Sequence, residues 1–274
     1  MPTPFYHLSL AHQLIEHPDL HPAVRSLLQE HPGAFLLGNT APDVQVISGQ
    51  ARQTTHFFSV PIQKSAQVPW DRLLLEYPSL AHSISQNHDK DAFIAGYLCH
   101  LQADWVWVLN VFLPVFGPDQ NWETFEKRLL LHNVLRAYLD GDIIAALPPN
   151  TITALLSTHS NKWLPFIEDD HLNEWREYLS EQLQPGADVK TVEVFASRQG
   201  IHPDEFQSII HSESRMEVEI FKHFPRQRLE KYRQRVINQN VVLLHNYLCD
   251  NLTVGALDQN HSSRHKQYYD RSAL

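Results

Sequence analysis

The amino-acid sequence predicts an all-α protein, and three observations carry that expectation. Apolar residues recur at helical spacing along most of the chain. No segment sustains the period-two alternation of a half-buried strand. One stretch, 91–112, is apolar on nearly every face, as a helix buried at the centre of a fold must be.

The first helix starts at Thr3–Pro4, a hydroxyl cap followed by a proline whose missing N–H costs nothing in the first turn, and runs to about Glu16. The segment "HPAVRSLLQEHPG" gives a second short helix, closed by Pro32 and Gly33. Residues 38–69 read as an irregular excursion punctuated by Gly38, Pro42, Gly49 and Pro61. The central helix begins near residue 90 on the polar "NHDKD" and runs to about Phe112. Further helices fit 121–139, 150–159, 170–183, 188–199, 203–224 and 226–250. No Gly/Ser/Pro-rich linker or charge block divides the chain, so residues 1–256 are expected to form one all-α metal-binding domain. The polar end, 257–274, is expected to be a disordered tail.

With 274 residues, 43% of them apolar, the chain can bury a full core. A net charge of -9 argues against general binding to nucleic acid or to anionic membranes. The basic run "RQRLEKYRQR" (226–235) follows Glu213, Glu217 and Glu219 and reads as a solvated helix face. Of two cysteines, Cys99 lies in an apolar helical run and is expected to be a buried free thiol. The start "MPTPFYHLSLAHQ" has neither a basic n-region nor a long apolar core, so no signal peptide is expected and the cytoplasm is the expected location. The longest apolar run, "WVWVLNVFLPVF" (105–116), is interrupted by Asn and Pro and too short to span a bilayer. The oligomeric state is left open.

The chain holds 18 histidines, many in plainly polar stretches (His82, His88, His261, His265). His100 and Asp104 differ: they lie four apart, on one face of the buried helix, with Gly96 one turn earlier leaving room for close approach. A buried ionised Asp must be paired or coordinate a metal, so this pair alone reads either as a self-satisfied His–Asp couple or as half of a metal site. Asp43 and His56, on the excursion, supply the other half: four nitrogen and oxygen donors suit zinc, with Mn or Fe also compatible. Taken singly, Asp43 also fits a helix cap near Val44, and His56 an aromatic cluster beside Phe57 and Phe58. Arg52, four residues before His56, fits either a phosphate contact or a loop brace.

The segments "FLLGNTAPDV", "RQTTHFF" and "AFIAGYLCHLQAD", in that order, resemble the bacterial zinc-dependent phospholipase C family, whose fold is shared with P1-type nucleases. The resemblance covers about the first half of the chain, to roughly Asp140. It implies a multi-helix bundle around a long buried central helix, with Asp43, His56, His100 and Asp104 holding one zinc. Asp104 would also reach toward a second ion with a histidine of the first helix; the family position favours His7, while spacing alone leaves His12 open. The pattern is incomplete. An N-terminal amine ligand, as in processed relatives, is not expected here. Asn110 stands where the family has a second His, and His132 is followed by Arg136 where the family has Glu. One or two ions are therefore expected, with His132 completing the set.

The implied activity is hydrolysis of a phosphodiester or phosphomonoester by hydroxide generated at the metal. Asp43 would serve as ligand and general base, and Arg52 and Arg136 as candidate phosphate contacts. The implied substrate is a small phosphoester or a phospholipid headgroup. Two alternatives stand beside it. His88–Asp89 suggests an HD-type metal phosphohydrolase but sits in a polar helix start. The missing ligands also fit a catalytically degenerate, metal-stabilised helical scaffold or binding protein.

Overall fold

Thr3 caps the first helix through its hydroxyl, which accepts from Tyr6 N, and α1 (Pro4–Ile15) follows. The computed structural model describes residues 1–60, 62, 67–81 and 87–249, and among them every regular element is helical and no strand forms. Helix α2 (Pro22–Glu30) starts at His21, whose ring accepts from Ala23 N. Helix α2 ends at Glu30, just before Pro32, as expected, but Pro32 also opens a helix that was not expected. The proline occupies the first position of α3 (Pro32–Gly38), where its fixed φ favours a start as readily as an end.

The excursion is irregular only in part. It holds a 3₁₀ turn (Ala41–Val44), α4 (Gln45–Ser48) and α5 (Arg52–His56), with α6 (Pro69–Glu76) at its end. Helices of one or two turns are too short to display a period, so composition alone made them look like loop.

Asn87 caps α7 (His88–Trp107) by accepting from Lys90 N, and the helix is buried from Asp91 through Trp107. A widened π turn (Val108–Phe112) carries it into α8 (Leu113–Phe116). The whole length, His88–Phe116, is apolar and long enough to cross a membrane, but 72% of its most apolar window is buried inside the fold. It is packed as a core helix.

Two glycines set the approach of α3 to α7. A Cβ on Gly38 would lie 2.0 Å from the carbonyl oxygen of Phe93, and one on Gly96 would lie 2.3 Å from that of Phe35. The room that Gly96 leaves is thus filled by the backbone of α3. This contact carries the turn after α3 onto the His100 face of α7.

The second half wraps this pair with α9 (Phe125–Ala146), α10 (Thr151–Leu156), α11 (Asp169–Gln182), α12 (Thr191–Gln199) and α13 (Pro203–Ile210). Next come α14 (Glu213–Arg215), a π turn (Met216–Phe221) and α15 (Arg226–Leu248). The helix expected over 203–224 is therefore broken at His211–Ser212, where the Ser212 hydroxyl caps a new start. Helix α9 runs further than the expected 139, to Ala146. Tyr232 on α15 donates to Ala103 O of α7 (3.2 Å). Buried apolar side chains from Phe5 to Tyr247 form one cluster, Cys99 is a free thiol within it, and Cys249 is exposed. The tail 257–274 lies outside the described residues.

Asp140 locks the N-terminal segment to the second half. Buried on α9, it accepts from the Thr3 hydroxyl and from the Thr191 hydroxyl (2.6 Å). Burial raises its pKa to about 7, against the pull of both hydroxyls and of Arg136. A carboxyl with a raised folded pKa binds its proton more tightly in the native state. The stability it contributes is therefore complete below the unfolded value near 3.8 and is lost as pH rises through about 7. Denaturation curves of the wild type should show a loss on the order of 4 kcal/mol from this group between those limits. Asp140→Asn should flatten that part of the profile, and an unchanged profile would contradict the assignment.

Candidate metal centre

The site forms where α3, the loop after it, α5 and α1 meet the middle of α7. His100 Nδ1 lies 2.8 Å from the Asn39 carbonyl oxygen. A carbonyl only accepts, so Nδ1 carries the proton and the neutral ring leaves Nε2 as a lone pair. His56 is fixed similarly. Its Nδ1 lies 2.9 Å from Thr55 Oγ1, whose own proton goes to Arg52 O (3.2 Å). The two Nε2 atoms then face each other at 3.4 Å with no hydrogen between them. Tyr97 holds this corner from below by donating to Thr55 O (2.5 Å). Phe57, directly after His56, takes a left-handed backbone (φ 60) that turns the chain sharply away, its ring buried against Tyr77 and Phe166.

Two carboxylates complete the ring of donors. His56 Nε2 is 3.4 Å from Asp43 Oδ1 and 3.5 Å from Asp104 Oδ2, and His100 Nε2 is 3.8 Å from Asp104 Oδ2. Donors about 2.1 Å from a tetrahedral ion sit about 3.4 Å apart, so these spacings are those of a metal ligand set. His7 stacks on His100 (centroids 3.8 Å) and brings Nε2 to 3.4 Å from Asp104 Oδ1. Neither His7 nitrogen nor Asp104 Oδ1 has a hydrogen-bond partner, although all are buried. Such orphans are costly unless something else satisfies them. The donors fall into two groups sharing His100: Asp43, His56 and His100, and His7, His100 and Asp104. Both fit a divalent ion.

The electrostatics agree with the donor chemistry. Burial pushes the His100 pKa down to about 3, and burial together with the Arg52 charge lowers that of His56. Both rings are neutral near pH 7, as ligands must be. Burial works to raise the Asp43 and Asp104 pKa values but is outweighed. For Asp104 the Arg52 guanidinium opposes that burial and favours the ionised carboxylate.

Other candidates are placed differently. His12 is half-buried and bonds Thr151 Oγ1 (2.8 Å), so of the two N-terminal histidines His7 is the one at the site. His132 is not brought to the donors. Its Nε2 accepts from the Trp107 indole (3.0 Å) amid Phe112 and Phe116, and burial keeps the ring neutral. The family resemblance suggested it as a ligand despite Arg136 in place of Glu, but the indole takes the lone pair a metal would need. Asn110 donates to Val106 O (2.9 Å) and accepts from Arg235. Arg52 spans 2.7 Å to Asp104 Oδ2 and lies over the Phe58 ring, bracing a ligand. Arg136 lines a cleft beside Asp43, with its pKa lowered by burial to about 10. The Met1 amino group lies among the same charges: burial and Arg136 lower its pKa, and Asp104 and Asp43 oppose them. His88–Asp89 is a surface feature, Asp89 pairing with His31 (2.8 Å).

Sequence reasoning missed the Asn39 carbonyl and the Thr55 hydroxyl, which fix the two tautomers. A backbone carbonyl carries no side-chain signal, whereas Thr55 stood beside His56 in the quoted segment. It also missed Trp175 of α11, whose indole donates to Thr40 O (3.0 Å) and ties the Asp43 loop to the second half.

A protein-family model described as zinc dependent phospholipase C matches residues 6–184. No curated protein and no solved structure gave a match. The family match extends past Asp140, where the legible resemblance ended, to take in α11 and its hold on the Asp43 loop. Covering more than half of the chain and every donor of the metal centre, it shows that the protein belongs to the zinc-dependent phospholipase C family.

Proposed function

We propose that this chain hydrolyses a phosphoric ester at a centre of one or two zinc ions held by Asp43, His56, His100, Asp104 and His7. The observation that carries the proposal is the pair of opposed, unprotonated Nε2 atoms between two ionised carboxylates. A bound divalent cation relieves that arrangement by accepting all four lone pairs at once. Bound zinc lowers the pKa of a coordinated water to about 7 and polarises a phosphoryl oxygen.

The chain's own residues divide the remaining work. Asp43 is 17% exposed where Asp104 is 1%, and Asp43 also lines the cleft, so it is the carboxylate that meets incoming water. Asp43 would orient that water through its partly exposed carboxylate at the cleft. Arg52 balances Asp104 and keeps it aimed at the centre. Arg136 presents a cation to the anionic ester at the cleft wall.

Zinc-loaded protein should release p-nitrophenol from p-nitrophenyl phosphodiesters or phosphomonoesters. Asp43→Asn should lower kcat by about 10²–10⁴. Metal content measured on the same samples separates lost chemistry from lost metal. Full metal occupancy with no turnover of any ester would favour a metal-stabilised scaffold instead.

A further inference from the structure

The cleft that Asp43 shares with Arg136 is more basic than one phosphodiester requires. It has an empty volume of about 470 Å³, counting its open mouth, and its charged lining is Asp43, Arg136, Lys190 and Arg198. Among the described residues none of these three cations has an ion-pair partner, whereas Arg52, Arg72, Arg176, Arg215 and Arg226 are all paired. Arg136 in addition has its Nε buried without a hydrogen-bond partner. Lys190 and Arg198 bracket α12, which Thr191 anchors to Asp140, so both are carried at the mouth by a fixed element.

The charge balance has a direction. A divalent ion offsets Asp43 and Asp104, and even with Asp140 behind Arg136 fully ionised, Arg52, Arg136, Lys190 and Arg198 leave a net positive charge in a chain whose total is -9. Such a local inversion selects anions. The aromatic lining does not offer the opposite choice. The Phe195 ring is already covered by the Arg136 guanidinium at 4.2 Å, so a quaternary ammonium would meet a cation where an aromatic cage should be.

We infer that the cleft binds a second anionic group of the substrate, a phosphate or carboxylate remote from the ester being cleaved, and that it rejects cationic headgroups. This rests on the hydrolase reading for what happens at the metal, but the binding claim is separable from it. The same chemistry arises in a free bisphosphorylated metabolite or in a phosphorylated lipid headgroup.

The test is calorimetric titration of the zinc-loaded full chain with a non-hydrolysable alkyl diphosphonate and with the matching alkyl monophosphonate. The diphosphonate should bind about tenfold tighter or better. Lys190→Gln with Arg198→Gln, both exposed positions, should remove most of that preference, and Lys190 with Arg198→Lys should keep it. Equal affinities in the wild type, or a preference that survives the double variant, would overturn the inference. Turnover is then read on a soluble glycerophosphoinositol phosphate and on vesicles carrying the corresponding phosphatidylinositol phosphate. Hydrolysis of one but not the other identifies the source. Preference for the diphosphonate with no hydrolysis of either would uphold the two-anion cleft and remove the hydrolase reading.

Discussion

Asp104→Asn will abolish the metal-dependent part of this protein's stability. Asp104 turns one oxygen to each side of the centre: Oδ2 faces His56 and His100, and Oδ1 faces His7. An amide keeps the shape but removes the negative charge that makes the site a cation trap. It also leaves Arg52 without its counter-charge. A ligand present at a thousand times its Kd stabilises the native state by about 4 kcal/mol. For a chain of this size that corresponds to a rise in Tm of roughly 7 °C. Thermal melts with and without zinc should show such a gap in the wild type and none in the variant. A variant that still gains the full shift would mean that Asp104 is not a ligand.

Gly96→Ala will cost about 3 kcal/mol or more and lower Tm by roughly 5 °C or more. The added methyl would lie 2.3 Å from Phe35 O and 2.9 Å from Asn39 N, and real Cβ contacts essentially never fall below 3.0 Å. The obstacle is backbone, which cannot rotate aside as a side chain can. Helix α3 must therefore back away from α7, and Asn39 O leaves His100 Nδ1 as it goes. The substitution should weaken metal binding without touching a ligand, because it releases the tautomer that Asn39 fixes. Chemical denaturation and a zinc titration check the two parts. Wild-type stability in this variant would contradict the packing described for the two helices.

The residues that the sequence made legible are those whose meaning is local. His100 and Asp104 could be paired because four residues along a helix is one turn, and the burial of α7 followed from its apolar faces. Asp43 and His56 could be added because each stood in a short motif. What lay beyond reach was set by tertiary contact. Nothing in the spacing of His132 and Arg136 revealed that Trp107 would occupy the His132 lone pair. Lys190 and Arg198 meet Asp43 only through the folding of the second half, well over a hundred residues away in the chain. Pro32 rightly marked the end of α2, but the helix it begins, α3, went unread because one residue type serves both ends. Gly96 was read rightly as room, but the occupant is α3 rather than a ligand.

The most direct measurement is metal content by elemental analysis of protein purified without added metal and without a histidine tag, wild type beside His100→Ala. His100 is common to both donor groups, so its loss should empty both. One or two zinc or other transition-metal ions per chain in the wild type, and none in the variant, is the predicted result. No metal in either protein, with none taken up on dialysis against zinc, would contradict the account and leave His56, His100 and the two carboxylates as a buried polar cluster without a cation.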